Sequence, residues 1–291
     1  MATLYALLVA PFADFAFMQR ALLGSLMLSL GACPVGVFLM LRRMSLSGDA
    51  MAHAILPGAA AGFLFYGLEI LPMTLGGLAA GIVVALGAGA VSRFTVQRED
   101  ASMAAFYLIS LAVGVLMVSV KGSSVDLMHV LFGTVLALND ASLVLIGGIV
   151  AVTLAALALF WRALVADCLD PLFLRSVSRM GGPAHFVFLG LVVLNLVGGF
   201  QALGTLLSVG LMILPAAAAR FWTERVETMC ALSVAIGFAA CVAGLLLSYH
   251  LSLPSGPAII LSAGAVYLVS TVAGTRGALR ARLVPHRHRT A

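Results

Sequence analysis

Apolar residues run almost without interruption along this chain, and charged or turn-forming residues fall between the runs. Stretches bounded in this way cover about 18–41, 50–66, 70–92, 102–120, 140–160, 184–199, 203–219, 228–249 and 257–273. A helix needs about 20 apolar residues to cross a hydrocarbon layer of roughly 30 Å. The pattern therefore predicts an all-α integral membrane protein with about nine transmembrane helices. The shorter stretches are expected as partial or re-entrant crossings, which are tolerated where protein covers the backbone. No water-soluble domain fits between the runs, so residues 1–291 are read as one transmembrane domain.

Composition narrows the class further. The apolar set AVILMFWYC makes up 63% of the chain, glycine adds 30 residues, and charged residues are 9%; an ordinary soluble domain has about 25% charged residues. Mean hydropathy is +1.15. A soluble globule cannot keep that much apolar surface from water, and a disordered chain or a disulfide scaffold is excluded on the same grounds. The sequence pI of about 9.4 does not indicate a nucleic-acid partner, because the basic residues are dispersed between apolar runs. With loops alternating sides, Arg20 and Lys121 stand on one side and the other 14 of the 16 Lys and Arg on the opposite side. The positive-inside rule places the larger group in the cytoplasm, which puts the N-terminus outside and the basic tail, about 274–291, inside against the lipid surface. Cys33, Cys168, Cys230 and Cys241 show no C-x-x-C spacing and read as small apolar residues. Gly58 to Gly62 and Gly77 to Gly81 form G-x-x-x-G pairs. Such pairs let backbones approach closely, either within one bundle or between subunits.

The run Leu41-Arg-Arg-Met-Ser-Leu-Ser-Gly-Asp-Ala-Met-Ala-His-Ala-Ile-Leu-Pro-Gly58 holds the strongest candidate chemistry. Asp49 and His53 lie four apart, so on a helix they share a face. A carboxylate with an imidazole suits zinc, and also manganese or iron. A capping aspartate with a histidine packed behind it accounts for the same spacing. Pro57-Gly58 then disturbs the helix. Asp126 and His129, three apart, could guide a cation inward, or sit on an ordinary interfacial helix. Asn139 and Asp140 read as caps of the following helix, and His185 and His250 as interface residues. The charged interval 162–183 carries Asp167, Asp170-Pro171, Arg175 and Arg179; Asp170-Pro171 is a helix-start signal, so a short helix there could be gripped by a soluble partner. The chain has no G-x-x-x-x-G-K-[ST] and no H-E-x-x-H, so neither P-loop ATP hydrolysis nor zincin proteolysis is expected of it.

At these residues the chain resembles the ABC-3 permease family, the membrane subunits of bacterial zinc/manganese ABC importers. The likeness rests on Arg42 to Gly58, on Val125-Asp-Leu-Met-His-Val-Leu-Phe-Gly133 with Leu136-Ala137, on Leu211-Met-Ile-Leu-Pro-Ala-Ala-Ala-Ala-Arg220 and on Pro254-Ser-Gly-Pro257. It implies an ABC importer permease fold in the bacterial inner membrane, working as a homodimer with two cytoplasmic ATPase subunits and a periplasmic metal-binding protein. ATP would then be hydrolysed on the partner, no cofactor would be permanently bound, and the chain itself would be no enzyme. By the same resemblance Asp49 and His53 contact the transported ion. Asp170, Pro171, Arg175 and Arg179 fall in a coupling segment, about 162–183, that docks on the ATPase. The chain departs from the family after Asp170-Pro171, where Leu172 to Ser178 replaces the usual small or acidic run and glycine comes only at Gly181. Imidazole softness and the block around His129 favour zinc, with manganese next and iron after it. A secondary metal transporter is the alternative class; it should show more intramembrane acids and corresponding broken helices in two halves.

Overall fold

The computed structural model describes residues 5, 7, 9–67, 69–120, 138–170, 174 and 181–277. Among these, eleven helices follow one another: α1 (Ala10–Asp14), α2 (Ala16–Leu41), α3 (Ser45–Ala54), α4 (Leu56–Tyr66), α5 (Ile70–Phe94), α6 (Glu99–Val120), α7 (Asp140–Leu169), α8 (Gly181–Leu203), α9 (Thr205–Arg220), α10 (Val226–Leu251) and α11 (Ser255–Ala273). Seven of them, α2, α5, α6, α7, α8, α10 and α11, are long and apolar enough to cross a membrane. The expected nine is thus not reached, and the difference lies in two stretches. The apolar run 50–66 falls across α3 and α4, which break at Ile55 because Pro57 enters at the first turn of α4. The run 203–219 forms α9, whose 16 residues are short of the usual crossing length.

Helix α2 is the axis of the bundle. In its most apolar window 72% of residues are buried, and in that of α8 67%, whereas the other five spanning helices have 22–33% buried. Those five form the outer shell of the bundle, with leucines and valines such as Leu108, Val144, Leu159, Leu261 and Leu268 exposed. Helices α7, α9 and α10 pack on α2, and α8 on α7, α5 and α9. Absent side chains permit the tightest approaches. A Cβ on Gly36 of α2 would strike the carbonyl of Met212 in α9. The same holds between Gly58 of α4 and the carbonyl of Gly76 in α5, while Gly62 faces Pro72 and Met73. Gly77 and Gly81 face Ile55, Val193 and Val197. Both G-x-x-x-G pairs are therefore used inside one bundle.

Several polar groups within the spans are paired, although Ser102 and Ser255 are buried with hydroxyls that meet no partner. Asn195 of α8 donates from Nδ2 to Thr153 Oγ1 of α7 and to the Leu191 carbonyl, both at 2.9 Å. Asn139 caps α7 as expected, accepting from the Ser142 N–H at 2.8 Å. Cys33, Cys230 and Cys241 are buried and Cys168 half-buried, all as free thiols.

Close backbone approach gives a direct prediction. Gly58→Ala and Gly36→Ala should each destabilise the protein by about 1–3 kcal/mol through overpacking. Gly148→Ala in α7, where a Cβ meets nothing within 4 Å, should be neutral or gain up to about 1 kcal/mol from helix propensity. Thermal unfolding of the purified variants in detergent measures all three.

Candidate functional site

The turn from α2 into α3 sets up the site. Arg42 follows the last residue of α2, and its N–H donates to the Phe38 carbonyl at 3.0 Å. Arg43 then adopts φ 61°, a left-handed conformation that a non-glycine residue enters only against a steric cost. This one residue reverses the chain, sending Arg42 inward and leaving Arg43 exposed. Met44 is buried, and α3 starts at Ser45.

Helix α3 buries Ser47, Gly48, Ala50, Met51, Ala52 and Ala54. Its opposite face carries Leu46, Asp49 and His53 at helical spacing. At 1.5 Å per residue, Asp49 stands about 6 Å and His53 about 12 Å beyond Ser45 along the axis. His53 Nε2 lies 4.0 Å from Asp49 Oδ1, with side-chain exposures of 31% and 63%. That separation is too long for a hydrogen bond. Two metal–ligand bonds of about 2.0–2.2 Å at a tetrahedral angle span roughly 3.3–3.6 Å, so the pair closes on an ion by a side-chain shift of about half an ångström. Among the described residues, no group of three His, Cys, Asp or Glu side chains comes together around an ion.

Helix α6 backs this pair through a stripe of Tyr107, Ser110 and Gly114. The Tyr107 ring lies 6.3 Å from the His53 ring, centroid to centroid. Ser110 Oγ donates to the Ala54 carbonyl at 2.9 Å, satisfying an acceptor at the end of α3. Gly114 admits Pro57, which a Cβ would approach to 3.2 Å. The helix break beside His53 is thus covered on one side and the Asp49–His53 face open on the other.

A second charged cluster lies at the foot of α3. Arg42 Nη2 is 2.7 Å from Asp167 Oδ2, and the two side chains are only 6% and 7% exposed. The guanidinium stacks over the Phe188 ring at 4.1 Å, and its Nη1 donates towards His185 Nδ1 at 3.4 Å. At the other end of the same two helices, Arg20 pairs with Asp140 at 3.0 Å in the open. Helices α2 and α7 therefore carry an Arg–Asp pair at each end, one buried and one exposed.

Sequence reasoning placed Arg42 and Asp167 among the cytoplasmic charges; the structure puts both inside. Asp167 also lies within α7, which continues to Leu169, so that only residues 170–180 separate α7 from α8. A signal for this existed. Leu157, Leu164 and Asp167 all lie on the buried side of α7, and an acid that extends an apolar stripe calls for a buried cation. Asp170 is the C-cap of α7. The candidates Asp126, His129, Pro171, Arg175 and Arg179 lie outside the described residues. Of the two remaining histidines in helices, His185 meets Arg42, and His250 Nε2 lies 3.0 Å from the Leu7 carbonyl.

The model of the ABC 3 transport family matches residues 14–274. The chain belongs to this family. It is 32% identical over 257 residues to the manganese import system permease protein ScaB of Streptococcus gordonii, covering 88% of this chain and 91% of that one. To the manganese transport system membrane protein MntC of Listeria monocytogenes it is 30% identical, with 88% and 90% covered. Among solved structures it is similar to a chain of PsaBC from Streptococcus pneumoniae in complex with Fab, with a TM-score of 0.82, 30% identity, and 95% and 97% of the two chains covered. The chain is a multi-pass membrane permease of the ABC transporter class.

The two Arg–Asp pairs differ in a measurable way. Arg42→Ala leaves a buried carboxylate without its cation and should destabilise by about 3–5 kcal/mol. Arg20→Ala should change stability by no more than about 1 kcal/mol, as exposed pairs do. Denaturation midpoints of the two variants make the comparison.

Proposed function

We propose that the chain is the membrane permease of an ATP-driven importer for a divalent transition metal, with manganese(II) as its first substrate. The observation that carries this is the outward Asp49–His53 pair at a helix break, in a family member whose similar relatives are named manganese permeases. The zinc preference expected from imidazole softness gives way here. One imidazole beside one carboxylate is a mixed set that serves manganese as well, and the block around His129 that favoured zinc lies outside the described residues. Iron ranks after manganese: a relative of 29% identity from Haemophilus influenzae is named a probable iron transport system membrane protein.

The site is under-coordinated in one chain, as suits a point of passage where an ion must also leave. Leu46 and Asp49 face outward with His53 half-buried behind them, so a second copy opposing this face supplies the matching pair, with water completing the shell. The working unit in this reading is a homodimer with two cytoplasmic ATPase subunits and a binding protein on the far side. The bacterial inner membrane holds it with the N-terminus outside and the C-terminus inside. Asp126 and His129 border the entry. Residues about 162–183, including Asp170, Pro171, Arg175 and Arg179, face the ATPase. The chain binds and passes the ion, and ATP is hydrolysed on the partner.

The test is uptake of radiolabelled manganese and zinc into proteoliposomes holding this chain, its ATPase and its binding protein. Manganese uptake should require ATP and exceed zinc uptake. Asp49→Ala with His53→Ala should lower it by about 100-fold or more, beyond the 10–100-fold that loss of an outer-shell partner costs. Charge reversal at Arg175 and Arg179 should leave metal binding intact while uncoupling ATP hydrolysis. Normal uptake by the Asp49/His53 double variant would remove the site, and uptake without the ATPase would make the chain a secondary transporter.

A further inference from the structure

Three elements meet at one guanidinium. Arg42 closes α2 and is separated from α3 only by Arg43 and the buried Met44. Its ion-pair partner, Asp167, is in the last turn of α7. Phe188 beneath it and His185 beside it are in the first turns of α8. The ends of α7 and α8 are thus held to the start of the helix that carries Asp49 and His53.

Stability alone does not call for this cluster. Removing two charges from water is expensive, and well-packed apolar residues of similar volume often do as well or better. A guanidinium does offer what apolar contact lacks. It is planar, bonds a carboxylate in its plane and stacks on a ring across that plane. Apolar surfaces slide over one another; this joint holds Asp167 by charge, Phe188 by ring contact and His185 by a hydrogen bond at one guanidinium. The left-handed Arg43 adds to the effect, because a tight turn gives α3 little slack relative to Arg42.

We propose that Arg42, ion-paired with Asp167 and lying over Phe188, is a positioning residue that locks α3 to the ends of α7 and α8, so that the Asp49–His53 pair moves with those ends in each transport cycle. The proposal rests on the ATP-driven reading above. It assigns Arg42 no contact with the ion.

The test uses the full complex in proteoliposomes, with ATP hydrolysis and radiolabelled manganese(II) uptake read from one sample. Arg42→Met with Asp167→Leu removes both charges together, which spares the fold the cost of an unpaired one. Its ATP hydrolysis should stay within about twofold of the parent, while manganese carried per ATP falls by about tenfold, a coupling loss of ordinary size. Arg42→Lys keeps the charge but loses the guanidinium's contacts with Phe188 and His185 and should fall between the two. A parental ratio of manganese to ATP in the double variant overturns the proposal. Where that variant does not assemble, a parental ratio in Arg42→Lys overturns it alone. Failure of the underlying reading looks different, since the unaltered complex then shows uptake without its ATPase or none at all.

Discussion

A charge held out of water must be answered by another, and in this bundle that requirement fixes where several helices can lie. Arg42 and Asp167 come from opposite parts of the chain and are both more than nine-tenths buried. Neither can be buried without the other, because an isolated ion inside protein carries a penalty of several kcal/mol. Their meeting sets the axial position of α7 against α2. It also draws α8 into place through Phe188 and His185. The exposed Arg20–Asp140 pair at the other end follows from that alignment and contributes little to holding it.

Around this joint, packing is decided by what is missing from the side chains. Lipid offers no hydrophobic drive between helices, so close approach through small residues has to supply the contact. Gly36 lets α9 touch α2, and Gly58 and Gly76 bring α4 onto α5. The break at Ile55 then turns the chain where Ser110 and Gly114 of α6 can cover it. What remains uncovered is the Leu46 and Asp49 edge of α3, with His53 half-buried beside Tyr107. Anchoring at the foot and closure behind leave the Asp49 side as the open side of an otherwise packed helix.

Much of this was legible in the sequence, for local reasons. Apolar runs marked the spanning helices because membrane thickness sets their length. G-x-x-x-G pairs marked close contacts, and the four-residue spacing of Asp49 and His53 put them on one face. Pro57 signalled the break, although the pattern alone did not show that it would divide 50–66 between two short helices. The Arg42–Asp167 joint was not legible, because it joins residues remote in sequence and each resembles an ordinary loop charge beside an apolar run. Tandem Arg42 and Arg43 read as one topological signal, yet the backbone turns between them, so one is buried and the other exposed. The ion proposed above was also beyond the ligand types. A carboxylate and an imidazole rank several metals closely, and relatives named for manganese, not coordination chemistry, move it ahead of zinc.

Direct observation of the ion on its ligands tests the central claim most closely. Manganese(II) is paramagnetic, so pulsed electron paramagnetic resonance of the assembled complex can detect a bonded imidazole nitrogen. The account predicts a nitrogen coupling on bound manganese that disappears in His53→Gln while the protein stays folded. A spectrum of fully hydrated manganese, or a nitrogen coupling unchanged by that substitution, would contradict it.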